Sequence, residues 1–259
     1  MRPAGHVTYR KDGPVGHITF DRPDARNALT PAMYAELDAI CATVRADGEL
    51  RAVVLRGAGG KSFASGSDIA QFLEFQTPED GLDYERRMAA HLDAIAAIPV
   101  PTLAVIEGFA VGGGLNLAAA CDIRIATTGS QFGTPIARAL GNCLSIANYA
   151  RLLNAFGEGR ARRMLLLGEL LDADEALACG FLSRVAAPEL IDSEAEAILA
   201  QLLANAPLSL RVSKTALGRL TAAHQAEIED EIRRIYGSED FRGAVRAFFE
   251  KRKPEWRGR

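Results

Sequence analysis

The stretch IEGFAVGGGLNLAAACD, Ile106–Asp122, decides how the rest of the chain is read. The apolar run from Pro101 to Glu107 has the pattern of a strand. Gly112, Gly113 and Gly114 follow as a turn, and an Ala/Leu-rich helix comes next. Three glycines at a strand-to-helix corner remove the Cβ atoms that would hold the backbone away from a bound group. The first N–H groups of a helix have no intrahelical acceptor. They face outward at the positive end of the helix dipole and suit an anion or a developing oxyanion. The same glycines also permit close helix–sheet packing, and this stretch alone does not separate the two roles.

The chain has 259 residues, 48% of them hydrophobic and 24% charged, enough for one large domain or a domain with an appendage. A net charge of -3 provides no general basic surface for nucleic acid, although a local cationic site for a phosphorylated ligand is compatible with it. Cys41, Cys121, Cys143 and Cys179 are far apart, with no CxxC pair and no metal-ligand spacing, a usage that suits a reducing cytosol. The N-terminal MRPAGHVTYRKDG has no apolar core of a signal peptide. Glu107, Asn116 and Asp122 interrupt the most apolar segment, which argues against a membrane span. The expectation is a soluble, cytoplasmic protein without a metal.

Outward from the glycine turn, the chain alternates strands and helices. His6–Arg10 and Val15–Phe20 flank a Lys-Asp-Gly-Pro turn and predict a hairpin. Thr30-Pro31 is an N-cap with proline at the first helical position, and Met33, Leu37, Ile40 and Val44 place one apolar face on a helix to about Arg45. Ala52–Arg56 predicts a buried strand, Gly57–Asp68 a long loop, Ile69–Phe75 a short helix that Ser67 or Asp68 caps, and Pro78–Ile98 a long helix. Two strands, Ile123–Ala126 and Gln131–Gly133, follow the glycine-turn helix. This order predicts an α/β unit with parallel strands and crossover helices. Asn142 is expected to cap a helix from Cys143 to Ala155, with a second helix from Gly157 through Leu167 and a short one at Asp172–Ala178. Phe181–Val185 predicts a last strand, and only helical patterns follow: Glu189–Ala204, Leu208–Leu220, Ala223–Tyr236 and Phe241–Lys251.

Gly60-Lys61-Ser62 imitates the end of a nucleotide-binding P-loop, but Leu55 stands where that motif requires glycine, and no strand–loop–helix order surrounds it. No GxSxG elbow and no HExxH motif is present, so serine-hydrolase and zinc-protease chemistry have no motif.

Six stretches in order, DRPDARNAL (Asp21–Leu29), FASGSDI (Phe63–Ile69), PTLAVIEGFAVGGGLNLAAACDIRIA (Pro101–Ala126), QFGTP (Gln131–Pro135), ADEALACGFLSRV (Ala173–Val185) and FRGAVRAFFEKRKPEW (Phe241–Trp256), give the sequence its strongest signal. Together they resemble the crotonase superfamily, the enoyl-CoA hydratases and isomerases, over nearly the whole chain. The resemblance implies a ClpP/crotonase-like spiral of ββα units over residues 1–187. It implies a helical C-terminal region, residues 188–259, serving oligomerisation and the pocket, and assembly as a trimer or a dimer of trimers. It implies an acyl-CoA thioester as ligand, with CoA entering as part of the substrate and no separate cofactor. By motif position, the backbone N–H groups of Ser67 and Gly113 fall where the family binds the thioester carbonyl. Ala64, Ser65, Gly66, Asp68 and Ile69 fall along the adenine and pantetheine path. Arg26 falls where a basic residue often stands near the CoA phosphates, a position at which a solvated loop charge is equally expected.

The sequence departs from this pattern at the acids. Hydratases in the family place one glutamate two residues after the third glycine and one after the proline of QFGxPE. Here those positions are Asn116 and Ile136. Hydration needs one carboxylate to activate water and one to protonate the α-carbon. Asn116 can hold a water but cannot take its proton, and Ile136 can do neither. Cys143 lies, with one residue of gap, where some relatives carry a catalytic aspartate, and at the expected helix N-terminus its thiolate would be stabilised; a small packing cysteine is the alternative. Arg138 could pair with an acyl carboxylate or with a surface partner. Asp68, Glu74, Tyr84 and His91 are further polar candidates, each with a capping, exposed or helical-surface role as the alternative. Glu107 is expected to tether a loop, and His6, His17 and His224 to lie on the surface.

Overall fold

The computed structural model describes residues 4–222 and 228–257. The chain opens with an antiparallel hairpin, β1 (His6–Asp12) and β2 (Val15–Asp21), followed by α1 (Pro31–Ala46). The Thr30 side chain accepts from the Met33 N–H and Pro31 occupies the first turn, so α1 starts where its cap chemistry dictates. Met33, Leu37, Cys41 and Val44 are its buried stripe.

Three ββα units come next. The first is β3 (Ala52–Gly57), β4 (Ser62–Ala64), a 3₁₀ turn at Ile69–Glu74 and α2 (Pro78–Ala96). The second is β5 (Thr102–Ile106), β6 (Phe109–Val111) and α3 (Gly113–Ala119). The third is β7 (Ile123–Thr127), β8 (Gln131–Gly133), α4 (Ile136–Ala139) and α5 (Ile146–Arg162). Each unit sends its first strand to one sheet and its second to another. The large sheet runs β1-β2-β3-β5-β7 and ends on β10 (Arg184–Ala186). The small sheet runs β4-β6-β8 and ends on β9 (Leu171–Asp172), which precedes α6 (Ala173–Ala178). Pairing between the three units is parallel. This is the spiral of ββα units that the motif resemblance implies.

Period-two alternation on β3 and β5 serves two cores. Val53, Leu55, Ala104 and Ile106 face the main core under α1 and α2. Ala52, Val54, Leu103 and Val105 face the other side, covered by α7 (Ile191–Ala204) through Ile191, Ala195, Ile198 and Leu202. Strands buried on both faces explain why TLAVI reads as a continuous apolar run. The C-terminal helices α8 (Pro207–Ala222), α9 (Glu229–Tyr236) and α10 (Glu239–Phe249) follow. Lys214 on α8 bonds Asp122 at 2.7 Å. Arg233 on α9 bonds Glu79 on α2 at 2.6 Å. Among the described residues, no helix is long and apolar enough to cross a membrane.

Several expected boundaries move. The Gly57–Asp68 loop contains β4 and the segment after β5 contains β6, three-residue strands too short to show periodicity. The helix after Asn142 begins at Ile146, because the cap is Ser145, whose side chain accepts from the Asn148 N–H. Gly157 sits at φ 73° and ψ 163°, a break that divides the helical run Ile146–Arg162. The last strand starts at Arg184, not Phe181, because Phe181 and Leu182 turn into the core. Of the expected Ala223–Tyr236 helix, the portion before residue 228 lies outside the described residues, and α9 begins at Glu229.

At Gly81, α2 packs directly on α9: a Cβ there would stand 2.0 Å from Cγ of Tyr236. Two effects of Gly81→Ala oppose each other. Helix propensity favours alanine by about 1 kcal/mol, whereas an overpacked buried contact costs ~1–3 kcal/mol. The clash is with a ring held on both sides, so we expect net destabilisation by about 1 kcal/mol or more. Urea unfolding of both proteins at one fixed concentration gives the sign.

Candidate active site

The second strand of each unit ends at a corner, and the three corners meet. After β4 the chain turns through Ser65-Gly66-Ser67, after β6 through Gly112-Gly113-Gly114, and after β8 through Thr134-Pro135-Ile136. Since β4, β6 and β8 are parallel neighbours, their C-terminal ends lie along one edge of the small sheet. Residues of all three corners line a cavity with an empty volume of about 840 Å³, part of it open to solvent. Phe72, Met88, Leu92, Val111, Ile136, Leu140 and Leu144 make most of its wall apolar.

The glycines are there for approach. Gly66 has φ 90°, and a Cβ on it would lie 3.0 Å from the Gly113 nitrogen. A Cβ on Gly114 would lie 2.0 Å from the Ala64 carbonyl oxygen. Leu29 clamps the first corner from outside: its N–H donates to the Gly66 carbonyl and its carbonyl accepts from the Asp68 N–H, both at 2.8 Å. This single parallel bridge engages the groups on either side of Ser67 and leaves the Ser67 N–H facing away from Leu29. Gly113 is the first residue of α3, so its N–H has no helical acceptor. Among the described residues, neither N–H has a hydrogen-bond acceptor. Two unsatisfied backbone donors thus lie side by side at an apolar cavity.

The Ser67 side chain has a different task. Its hydroxyl accepts from Tyr84 at 2.8 Å, bonds Tyr34 at 3.0 Å and donates to Met88 Sδ at 3.5 Å. The network ties the corner to α1 and α2 and fixes the direction of the Ser67 N–H. Burial pushes the Tyr34 phenol up to about 12 and raises Tyr84 as well, so both remain neutral donors. His91 stacks on Tyr34 with ring centroids 4.7 Å apart and bonds Asp38 at 2.8 Å, a brace behind the network.

Of the residues singled out in the sequence, Ser65, Gly66, Ser67, Ile69, Gly113 and Asn116 line the cavity, as does Ile136. Asn116 is buried, and its Oδ1 has no partner among the described residues. Ala64 is buried in the core behind the corner. Asp68 pairs with Arg22 at 2.7 Å and caps the 3₁₀ turn through the Ala70 N–H. Arg26 lies outside the wall, with its guanidinium over the Phe109 ring. Glu74 and Arg138 are exposed, and Glu107 pairs with Arg56 at 2.8 Å.

Cys143 requires a correction. It precedes the Ser145 cap, so it does not stand at a helix N-terminus. It is buried, and burial followed by the nearby Glu85 charge raises its thiol above the ordinary value. The dipole argument for a thiolate fails for want of the helix end.

One acid in the cavity wall escaped the motif reading. Glu85 lies on α2, lines the cavity and is 2% exposed. It accepts from the Tyr236 hydroxyl of α9 at 2.7 Å and from the Ser145 N–H at 2.8 Å. Burial pushes its carboxyl up to about 7, against the opposing pull of those two donors. The available signal was a carboxylate set between Leu82 and Met88, at i−3 and i+3, on the apolar stripe of α2.

Comparison with known proteins places this geometry. The model of the family described as enoyl-CoA hydratase/isomerase matches residues 10–259. The short-chain-enoyl-CoA hydratase of Clostridium acetobutylicum is 34% identical over 257 residues, covering 96% of this chain and 97% of its own. The (E)-benzylidenesuccinyl-CoA hydratase of Thauera aromatica is 34% identical over 264 residues, covering 97% and 99%. A structure of methylmalonyl-CoA decarboxylase in complex with 2-nitronate-propionyl-CoA matches with a TM-score of 0.89 at 26% identity, covering 98% of this chain and 99% of that one.

The four cysteines give a direct check on the site. Cys41, Cys121 and Cys143 are buried and Cys179 is half-buried. Burial raises the thiols of all three buried cysteines. With an aromatic disulfide reagent at pH 8, Cys179 is expected to react first and the other three only on unfolding. A second fast thiol that disappears in Cys143→Ala would restore a reactive thiolate to the site.

Proposed function

This chain belongs to the enoyl-CoA hydratase/isomerase family of the crotonase superfamily, and from that premise we propose that it carries an acyl-CoA thioester through an enolate whose oxygen rests on the N–H groups of Ser67 and Gly113. The observation that carries this reading is the pair of unsatisfied donors at an apolar wall. When the thioester carbonyl becomes an enolate, negative charge gathers on its oxygen. Fixed donors at an apolar wall stabilise that charge without reorganising, and each is worth about 3–4 kcal/mol of barrier. The Ser67–Tyr34–Tyr84 network supplies the rigidity on which such a gain depends. The Asn116 and Asn142 amide oxygens, buried without partners at the same wall, offer acceptors for a substrate amide, hydroxyl or water.

Water addition of the kind that names the two relatives is the family reaction least supported here, since Asn116 and Ile136 replace its two acids. A second reading, decarboxylation of an acyl-CoA bearing an α-carboxylate, is favoured by the apolar wall around Ile136 and by the likeness to methylmalonyl-CoA decarboxylase. Loss of CO₂ leaves its electron pair in the same enolate and needs no base to begin. The oligomer implied by the family, a trimer or a dimer of trimers, and a cytoplasmic location stand as proposals beside it.

Incubation with crotonyl-CoA, butyryl-CoA and methylmalonyl-CoA in deuterated water, read by mass spectrometry, separates the outcomes. Deuterium entering the α-carbon of butyryl-CoA supports the enolate. Formation of 3-hydroxybutyryl-CoA would restore hydration, CO₂ loss would select decarboxylation, and free CoA would select hydrolysis. Binding without change in any thioester would make the chain an acyl-CoA-binding member. Gly113→Pro provides the matched control. Proline is accepted at a first helical position, and a Cβ on Gly113 meets nothing closer than 3.4 Å. It deletes one donor and sets the ring Cδ where that proton was, and we expect the rate to fall at least about 10²-fold.

A further inference from the structure

Glu85 is the only carboxylate in the cavity wall among the described residues. It lies on α2, away from the corners at which the two missing acids would stand. We infer that Glu85 is the proton-transfer group of this site, taking a proton from the substrate α-carbon and returning one to it, with Tyr236 as its positioning residue. The inference rests on the enolate reading above and adds the group that makes and quenches the enolate.

The geometry carries it in three ways. Glu85 is 2% exposed yet borders the cavity that holds both N–H donors, so a thioester seated on them lies in the same enclosure. Its two oxygens are held separately, Oε1 by the Tyr236 hydroxyl and Oε2 by the Ser145 N–H, so the carboxyl is fixed in direction. No cation pairs with it among the described residues. The titratable groups that face it are Tyr34 from α1, Tyr84 on α2, Cys143 before α5, Tyr149 from α5 and Tyr236 from α9. Burial raises every one of them, so all are neutral near pH 7. A buried salt bridge would lock the carboxylate in its charged form; hydroxyl and amide donors hold its position and leave both protonation states accessible. Its carboxyl accordingly sits at about 7, where an acid and a base are equally available.

The step balances within the site. The Glu85 carboxylate takes the α-proton as the Cα–H bond breaks. That electron pair forms the bond between Cα and the thioester carbon, and the carbonyl pair moves to the oxygen between Ser67 and Gly113. The reverse step delivers the proton from the Glu85 acid to Cα. In the decarboxylation reading only the delivery is used. In deuterated water the acid exchanges with solvent, so label enters Cα without net reaction.

The test is label entry into butyryl-CoA as a function of pH, for the wild type, Glu85→Gln and Tyr236→Phe, with binding of a butyryl-CoA thioether measured by calorimetry. Wild-type exchange is expected to rise with pH about a midpoint near 7, the Glu85 carboxylate being the active form. Glu85→Gln keeps size, its amide oxygen can accept from the Ser145 N–H while its NH2 donates to the Tyr236 oxygen, and exchange is expected to fall at least about 10²-fold with thioether affinity within threefold. Tyr236→Phe removes a donor that favours the carboxylate, so the midpoint is expected to move up by roughly one pH unit. A carboxyl that only ties α9 to α2 would lower stability in both variants and leave the midpoint in place. Exchange in Glu85→Gln within threefold of wild type overturns the inference and leaves the enolate reading standing. If Glu85→Gln does not fold, an unmoved midpoint in Tyr236→Phe overturns it. Absence of exchange in the wild type with thioether binding intact overturns this inference, and absence of CO₂ loss from methylmalonyl-CoA as well then removes the enolate reading.

Discussion

The carbonyl of Ala64 and the backbone of Gly114 approach so closely that no side chain fits between them. That contact joins the corner of the first ββα unit to the corner of the second, and much else follows from it. The small sheet can pair three-residue strands because the units stack at their corners. The Gly66 and Gly113 backbones come together in the same place, and two N–H groups are left without acceptors. The bridge from Leu29 and the hydroxyl network at Ser67 hold the surrounding chain, so both N–H groups are fixed in direction at the cavity without an acceptor among the described residues.

Apart from Glu85, the polar groups of the cavity wall are neutral. Tyrosine hydroxyls, amide side chains and backbone N–H groups supply direction without net charge, and the wall between them is apolar. In such surroundings a donor acts more strongly on a developing charge than it would in water, and a carboxyl responds strongly to its few partners. The same low polarity would strengthen the grip on the oxygen of the proposed enolate, and burial raises the Glu85 carboxyl.

Much of this was legible in the chain itself. Thr30-Pro31 announced α1, short apolar runs gave β3 and β5, and the glycine run at Gly112–Gly114 marked the corner that lines the cavity. The absence of acids at positions 116 and 136 was visible directly. The rest was hidden for physical reasons. β4 and β6 have three residues each, and their strand character comes from neighbours distant in sequence. The cap expected at Asn142 belongs to Ser145, and that displacement removed the argument for a Cys143 thiolate. Glu85 interrupts an apolar stripe, a local anomaly that a surface-seeking side chain would also produce. Its partners are 60 and 151 residues away, and only the fold brings them to it.

That separation also orders events in time. A chain made from its N-terminus presents both corner glycines and Glu85 long before Tyr236 exists. At ordinary ribosomal speeds the interval is on the order of 10 s. Throughout it the carboxyl has no phenol to meet, and the side of α2 that later receives α9 is bare. The nascent chain can assemble its two corner backbones early, but the enclosure around Glu85 closes only once the chain has been made through Tyr236. The path of the chain thus couples the closing of that enclosure to the arrival of α9.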